Sequence, residues 1–482
     1  MKHLRHIAVV TLAVLALGLQ GDVAGASTTW QSARVVHLPS GATSLPSGYL
    51  PALSCASAGN CSAGGAFSDT KGRVEGLLLR EVHGVWRAPV TLVTPAGAAA
   101  DPQVTITSVS CATATSCGVV GSYQDRHGNS ESFVASEVRG TWTRARQVVL
   151  PANAARSNQY SSLHSVSCAS TGNCSAVGTY VDLAKGGPGE AMVVTQVRGT
   201  WRRASELRLP PSANLNPFVN IEQIDCAHVG YCSAVGSFTD ANSVEQGLVF
   251  DQVAGTWSAG AAVALPGDAS AYAGASLSEI GCSGVDSCAA LGTYRDQAGH
   301  LEGMSVTQSG GSWGRGVRLV MPAGAAANPH VTFYGYDGIS CPSTSDCSAG
   351  GQYLDTSGAY QGFVVSEVAG VWTPAAAPVL PIGAQQGGQY GGVVSVSCRS
   401  AGNCSAGGAY VDASGNYQAL IVNEVANVWQ TGQKVLLPGG ATTIGVDGGV
   451  YGLVCHASGP CTAIGSFEKN PTTYQGFTVT TR

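Results

Sequence analysis

The stretch Ser165-Val-Ser-Cys-Ala-Ser-Thr-Gly-Asn-Cys-Ser-Ala-Val-Gly-Thr-Tyr-Val-Asp182 decides the fold, because its frame recurs eight times in 482 residues. Every copy holds two cysteines with five residues between them: Cys55 and Cys61, Cys111 and Cys117, Cys168 and Cys174, Cys226 and Cys232, Cys282 and Cys288, Cys341 and Cys347, Cys398 and Cys404, Cys455 and Cys461. Successive copies are 56 to 59 residues apart. An aliphatic residue stands two places before the first Cys, a Gly four places after the second, and a Phe or Tyr six places after it. Asp follows eight places after the second Cys in seven copies (Asp69, Asp125, Asp182, Asp240, Asp296, Asp355, Asp412), with Lys469 in the last. Farther out, each of the eight Trp lies nine residues before a Pro, from Trp30 and Pro39 to Trp429 and Pro438. Glu or Gln stands five residues before seven of them, as Glu137 does before Trp142.

Each unit reads as four short strands divided by turn residues. The first ends at the first Cys, and the second runs from the second Cys to the Asp. The third is an aliphatic run such as Gly362-Phe-Val-Val365, and the fourth runs from Trp to Leu-Pro, where Pro closes the strand. No sustained helical periodicity is present, so almost no helix is expected. A four-stranded unit repeated eight times predicts an all-β, eight-bladed β-propeller. Independent disulfide beads would start and end in the same phase. This chain instead begins on a fourth strand (Trp30 to Leu38) and ends on a third (Gly476-Phe-Thr-Val479). The N-terminal strand, within 27–49, is therefore expected to complete the last blade and remove an exposed sheet edge.

The N-terminus, with Lys2 and Arg5, an apolar run from Ile7 to Leu19 and Ala24-Gly25-Ala26, has the layout of a secretory signal peptide. Residues 1–26 are read as that signal and 27–482 as a single propeller, secreted and extracellular, with no membrane anchor. That compartment and the even count of 16 Cys predict one disulfide per blade, joining the two cysteines of each copy. Zinc fits poorly, since Cys-x5-Cys is not the usual ligand spacing. A net charge of -5 with 11% charged residues speaks against a nucleic-acid partner, and a monomer is expected. The repeated Asp is read as a turn cap accepting backbone N–H groups, with calcium ligation as the alternative. The repeated Trp is read as packing between blades or on the outer strand. No cofactor and no dedicated metal site are expected.

The frame S-[VI]-S-C-x5-C-x-A-[VG]-G-x-[YF]-x-D followed by [EQ]-V-x-G-x-W resembles the Cys-paired repeats of secreted actinobacterial propeller-like proteins, broadly similar to kelch and BNR/Asp-box propellers. The resemblance spans nearly the whole mature chain and implies a fold and a location, not an activity. The Asp-box order S-x-D-x-G-x-x-W is not met.

In a repeat the shared residues describe the scaffold, so a site should show as departures from the frame. One set is aromatic, in the loops before the first strands: Tyr49, Tyr160, Tyr272, Tyr334, Tyr336, Tyr390 and Tyr451, with Phe218 and Phe333. These are candidate ligand-binding residues. The other set is acidic, in blades four to six: Glu222, Asp225, Glu279 and Asp337. Paired carboxylates can do acid/base chemistry when their pKa values are separated. No nucleophile elbow, metalloprotease, phosphate-loop or dinucleotide motif occurs. The primary reading is a non-catalytic module that binds carbohydrate or protein. The alternative is a propeller hydrolase or lyase acting on polysaccharide, glycoconjugate or lactone through the acidic set.

Overall fold

The computed structural model describes residues 29–45, 50–155, 159–182, 189–334, 337–385, 391–438, 441, 449–470 and 473–482. The signal-peptide reading and Tyr49, Tyr336 and Tyr390 lie outside the described residues. The protein is an eight-bladed propeller of four-stranded antiparallel blades, with no α-helix among the described residues. The third blade is representative: Ser161–Ser170, Asn173–Tyr180 and Glu190–Val197, then a fourth strand in two pieces, Thr200–Trp201 and Ser205–Glu206. That fourth strand is shorter than a continuous Trp-to-Pro strand would be.

The cysteines pair within blades as the spacing predicts. Disulfides join Cys55 to Cys61, Cys111 to Cys117, Cys168 to Cys174 and Cys226 to Cys232. The other four blades join Cys282 to Cys288, Cys341 to Cys347, Cys398 to Cys404 and Cys455 to Cys461. Cys168 faces Cys174 directly across the hairpin joining strands one and two. The second member of each pair turns into the blade core: Cys61, Cys117, Cys174, Cys232, Cys288, Cys347, Cys404 and Cys461 are all buried. The sixteen cysteines therefore belong to the scaffold and leave no thiol for chemistry. Eight formed disulfides suit an oxidising, extracellular environment.

Local chemistry follows the frame. Between strands three and four, pairs such as Arg139-Gly140 and Arg198-Gly199 have positive φ at both residues, the conformation a two-residue hairpin turn requires. Asp412 Oδ1 accepts the N–H groups of Ser414 (2.9 Å) and Asn416 (3.0 Å), and its Oδ2 accepts from Gln418 (2.8 Å). Asp69, Asp125, Asp240, Asp296 and Asp355 bind their turns in the same way. The repeated aromatic is core: Tyr123, Tyr180, Phe238, Tyr294 and Tyr410 are buried.

The ring closes as its phase requires. Arg34 pairs with Thr478 and Val35 with Phe477, flanked by a Trp30–Thr481 bridge. The segment then continues to the first blade, where Ala42 pairs with Asp69 and Leu45 is buried with Leu53, Leu77 and Ile464.

Neighbouring blades are joined by hydrogen bonds in three tiers. At the rim, the residue three after Trp donates its N–H to the preceding blade's fourth strand: Ala145 to Val93, Ala204 to Val149, Gly260 to Arg208, Gly316 to Ala264, Ala375 to Val320, Gly432 to Val379 and Ala33 to Leu436. In the middle, the Trp indole reaches back at some seams, as Trp201 does to Ser136 Oγ (2.9 Å), Trp313 to Asp251 (3.0 Å) and Trp429 to Ser366 (3.1 Å), while the Trp86, Trp142, Trp257 and Trp372 indoles find no partner among the described residues. The repeated Trp therefore packs between blades. The innermost tier surrounds the axis and builds the candidate site.

Candidate functional site at the axial channel

The Ser-x-Ser-Cys ending of strand one is a connector. The serine before the first Cys accepts the N–H of the next blade's first Cys: Ser54 from Cys111 (3.0 Å), Ser110 from Cys168 (2.9 Å), Ser167 from Cys226 (3.0 Å), Ser340 from Cys398 (3.1 Å) and Ser397 from Cys455 (2.9 Å). The serine two places earlier does the same one rung away, as Ser165 does for Ile224 (3.3 Å) and Ser395 for Leu453 (3.0 Å). These strands from all eight blades enclose an axial cavity of about 320 Å³.

Two of the four acidic candidates occupy connector positions. Asp225 replaces the serine before Cys226 and accepts the Cys282 N–H (2.8 Å), the Cys226 N–H (2.8 Å) and the Ser167 hydroxyl (3.3 Å). Glu279 replaces the earlier serine and accepts the Gly338 N–H (3.0 Å). Gln223 fills the equivalent place in blade four, accepting the Ile280 N–H (2.6 Å) and donating to Asp337 Oδ1 (3.1 Å). Asp337 lies two residues before the shortened first strand of blade six (Ile339–Ser343) with φ of 55°, a left-handed conformation that Asp tolerates better than most residues. Its own carbonyl accepts the Val396 N–H, the rung that Gly338 cannot supply.

Asp225 and Asp337 both line the axial cavity, whereas Glu222 and Glu279 do not. Burial raises Asp225, opposed by its two N–H donors and Ser167. Burial and the Asp225 charge push Asp337 up to about 6, with Gln223 opposing. Asp337 is exposed by its accessible area but enclosed by protein within the channel. Both hold for a solvent-accessible group on the wall of a channel, and solvent screens its charge there. Glu279 is fully buried against Gly338, where a Cβ would lie 2.8 Å from Glu279 Oε1.

Glu222 belongs to a different feature. First strands carry a β-bulge four residues before Cys, at Thr107, His164, Glu222, Ser278, Val394 and Tyr451, and a bulge re-aims its extra side chain. Thr107 donates to Leu163 O (2.7 Å), and His164 Nδ1 lies 2.6 Å from Ile221 O. Burial raises Glu222, while His164 and the hydrogen bond from Asn220 oppose the shift.

The aromatic candidates divide in the same way. Tyr160 and Tyr272 are exposed, as is Phe218. Phe333 instead joins the core against Phe363, with ring centroids 5.8 Å apart. Tyr334 donates to Gln352 (2.7 Å), lies over Gly392 of the next blade, and has its phenol pushed up to about 12 by burial. It closes a blade end and is half-buried, as is Tyr451 in its bulge.

Asp296, His300 and Glu302 bring three potential ligand atoms within 4.8 Å of one another. Elsewhere the same turn shows what they do. Gln246, Gln361 and Gln418 donate to the turn Asp directly. Where Glu75, Glu131 or Glu302 stands instead, Arg73, Asn129 or His300 is beside the Asp Oδ2. The trio is a turn lock, and Arg318 neutralises Glu302.

No protein-family model matches the chain, and no curated protein does. Among solved structures it is similar to an ulvan lyase of polysaccharide lyase family 25, at 10% identity over 75% of this chain and 89% of that one, TM-score 0.44. It is also similar to a post-proline cleaving enzyme from Rickettsia typhi, at 10% identity over 88% and 58%, TM-score 0.44. A third is the Hadza microbial sialidase Hz136, at 11% identity over 68% and 65%, TM-score 0.37. At such identities these likenesses say nothing about activity.

Proposed function

We propose that the protein is a secreted binding propeller that holds carbohydrate or a protein surface on its loop face without transforming it. One observation carries this reading: Tyr160, Phe218 and Tyr272 are 52%, 64% and 77% exposed on three consecutive blades, with Leu215 beside Phe218. Large apolar side chains left in water on loops carried by a rigid scaffold mark interaction surfaces. Aromatic rings offer a flat face to sugars and an anchor to protein partners. Phe218 keeps a left-handed backbone (φ 43°) after Pro217, a conformation rare for a bulky residue.

The test is a glycan and surface-protein screen, followed by Tyr160→Ser, Phe218→Ser and Tyr272→Ser combined. Exposed rings contribute little to folding, so the melting temperature should hold while affinity for the captured ligand falls at least ~tenfold. Undiminished affinity would sink the reading. Protein recovered from the medium should begin at Ser27 and sediment as a monomer.

A second reading, hydrolysis or elimination on a polysaccharide, glycoconjugate or lactone, is favoured by the shared cavity of Asp225 and Asp337. A carboxyl held near 6 suits a general acid. Turnover of a screened ligand that is lost in both Asp337→Asn and Asp225→Asn would displace the binding-only reading.

A further inference from the structure

The three tiers of inter-blade hydrogen bonds fail together at one seam, between the last blade and the first. At the rim the donor position is Pro89, which has no N–H. In the middle, Thr480 stands where Ser136, Asp251 and Ser366 accept an indole, and Trp86 Nε1 has no partner among the described residues. At the axis, Val454 and Gly452 stand where the connector serines belong, and neither side chain can accept the first blade's N–H groups.

A cavity of about 470 Å³ opens at this seam, within the roughly 300–1,000 Å³ of small-molecule sites. Arg34, His37, Glu81, Trp86, Arg87 and Thr480 line it. Glu81 is 1% exposed; its Oε2 accepts from Thr462 Oγ1 (3.4 Å), and its Oε1 has no partner among the described residues. Buried polar atoms are nearly always satisfied, so two orphans in one cavity wall need an explanation.

The seam between blades six and seven supplies it. There the same Glu and Trp positions hold Glu424 and Trp429, and one hydroxyl serves both. Ser366 Oγ accepts the Trp429 indole N–H (3.1 Å) and donates to Glu424 Oε1 (2.6 Å). Between blades four and five, Asp251 takes both Trp313 and Gln308, and the cavity lined by Asp251 and Gln308 shrinks to about 10 Å³. Between blades three and four the position is Thr195. Trp257 Nε1 and Gln252 Oε1 are again unpartnered among the described residues, and a cavity of about 370 Å³ opens beside Arg202 and Arg203. The Trp142 and Trp372 indoles are also unpartnered among the described residues, so what these two seams share is a cavity beside the unpartnered indole with arginines at its mouth. Neither Arg34 nor Arg87 is ion-paired among the described residues.

We propose that the seam between the last and first blades is a binding site for a sugar acid, distinct from both the loop face and the axial channel. A ring hydroxyl stands in for the Ser366 hydroxyl, accepting from Trp86 and donating to Glu81. The carboxylate meets the Arg34 and Arg87 guanidiniums, whose planar forks match it. A neutral sugar leaves the arginines unpaired, and acetate cannot reach the buried pair.

Titration of the 15N-tryptophan-labelled protein with glucuronate tests this, since the eight Trp give eight indole cross-peaks. The Trp86 peak, assigned by Trp86→Phe, should shift saturably, with glucose and acetate at least ~tenfold weaker. Trp86→Phe should lose at least ~tenfold in glucuronate affinity. The exposed pair Arg34→Ala with Arg87→Ala should abolish the preference over glucose while leaving the melting temperature unchanged. No moving indole peak, equal binding of glucose, or undiminished binding by the Arg34/Arg87 variant would overturn the proposal.

Discussion

Asp337→Asn isolates the electrostatics of the axial channel with almost no change in shape. Asn tolerates the left-handed backbone as Asp does, and its side-chain oxygen can still accept from Gln223 Nε2, 3.1 Å away. Only the charge is removed. In the folded protein burial and the facing Asp225 raise Asp337 from 3.8 to about 6. An acid whose pKa is raised on folding binds its proton more tightly in the native state. Its contribution to stability is therefore intact below its unfolded pKa and is lost as pH climbs through the folded one. One pKa unit corresponds to ~1.4 kcal/mol, so the ceiling is ~3 kcal/mol. Asp337 meets water in the channel, and screening reduces this to about 1 kcal/mol. Urea unfolding midpoints of the disulfide-intact protein, at unchanged m, measure the difference. Wild type and variant should coincide near about pH 4, and the variant should lead by about 1 kcal/mol at about pH 8. A gap independent of pH would refute the reasoning, as would a variant less stable than wild type at alkaline pH.

Removal of Thr29 to Pro39 takes the fourth strand from the last blade, so the melting temperature should fall and the exposed Thr473–Thr480 edge should promote aggregation in light scattering. An unaffected melt would refute strand closure. Ser397→Ala strands the buried Cys455 N–H and should lower stability by about 1–3 kcal/mol in urea unfolding, whereas Ser397→Thr should lose less. Asp412→Ala should cost about 1–2 kcal/mol, because it frees two turn N–H groups. If the turn Asp is a cap, calcium or a chelator should leave the wild-type melt unchanged; a calcium-dependent rise would restore the ligand reading.

The sequence made the blade count, the disulfide pairing, the turn Asp and the strand that closes the ring legible, for one reason. Each is a local pattern repeated in phase, and a missing fourth strand at one end matched a surplus one at the other. The connector serines escaped notice because their partner lies about 57 residues away in the neighbouring blade. Alternation places Ser110 on one side of a strand but does not say that the Cys168 N–H waits there. The acidic departures were visible because Asp225 and Glu279 break the serine pattern, yet each still does the serine's work of accepting an N–H. Only Asp337 adds something new, since its partner Gln223 donates to a side chain and not to the ladder. Among the loop aromatics, Phe218 and Phe333 look alike in sequence. Phe363 on the adjoining third strand draws Phe333 inward, while Phe218 stays in water.

A ring of eight blades has eight seams, and because the N-terminal segment is the last blade's fourth strand, a fourth strand runs into the next blade's first strand at each of them. At seven of them the rim bond from the residue three after Trp is made. At the eighth, between the last and first blades, Pro89, Thr480, Val454 and Gly452 withhold all three tiers. What holds it is the N-terminal segment, which completes the last blade at Arg34–Val35 and then buries Val36, Leu45 and Leu50 in the core of the first. Apolar burial by this segment thus takes the place of the three repeated hydrogen bonds, with Thr462 to Glu81 left as a side-chain bond across the seam. Apolar contacts tolerate a gap that a hydrogen-bonded interface would close, because they lack its distance and angle requirements. The same substitution that lets the N-terminus act as the clasp therefore leaves room beside Glu81 and Trp86, and the place where the fold is most loosely sewn is the place where it can admit a ligand.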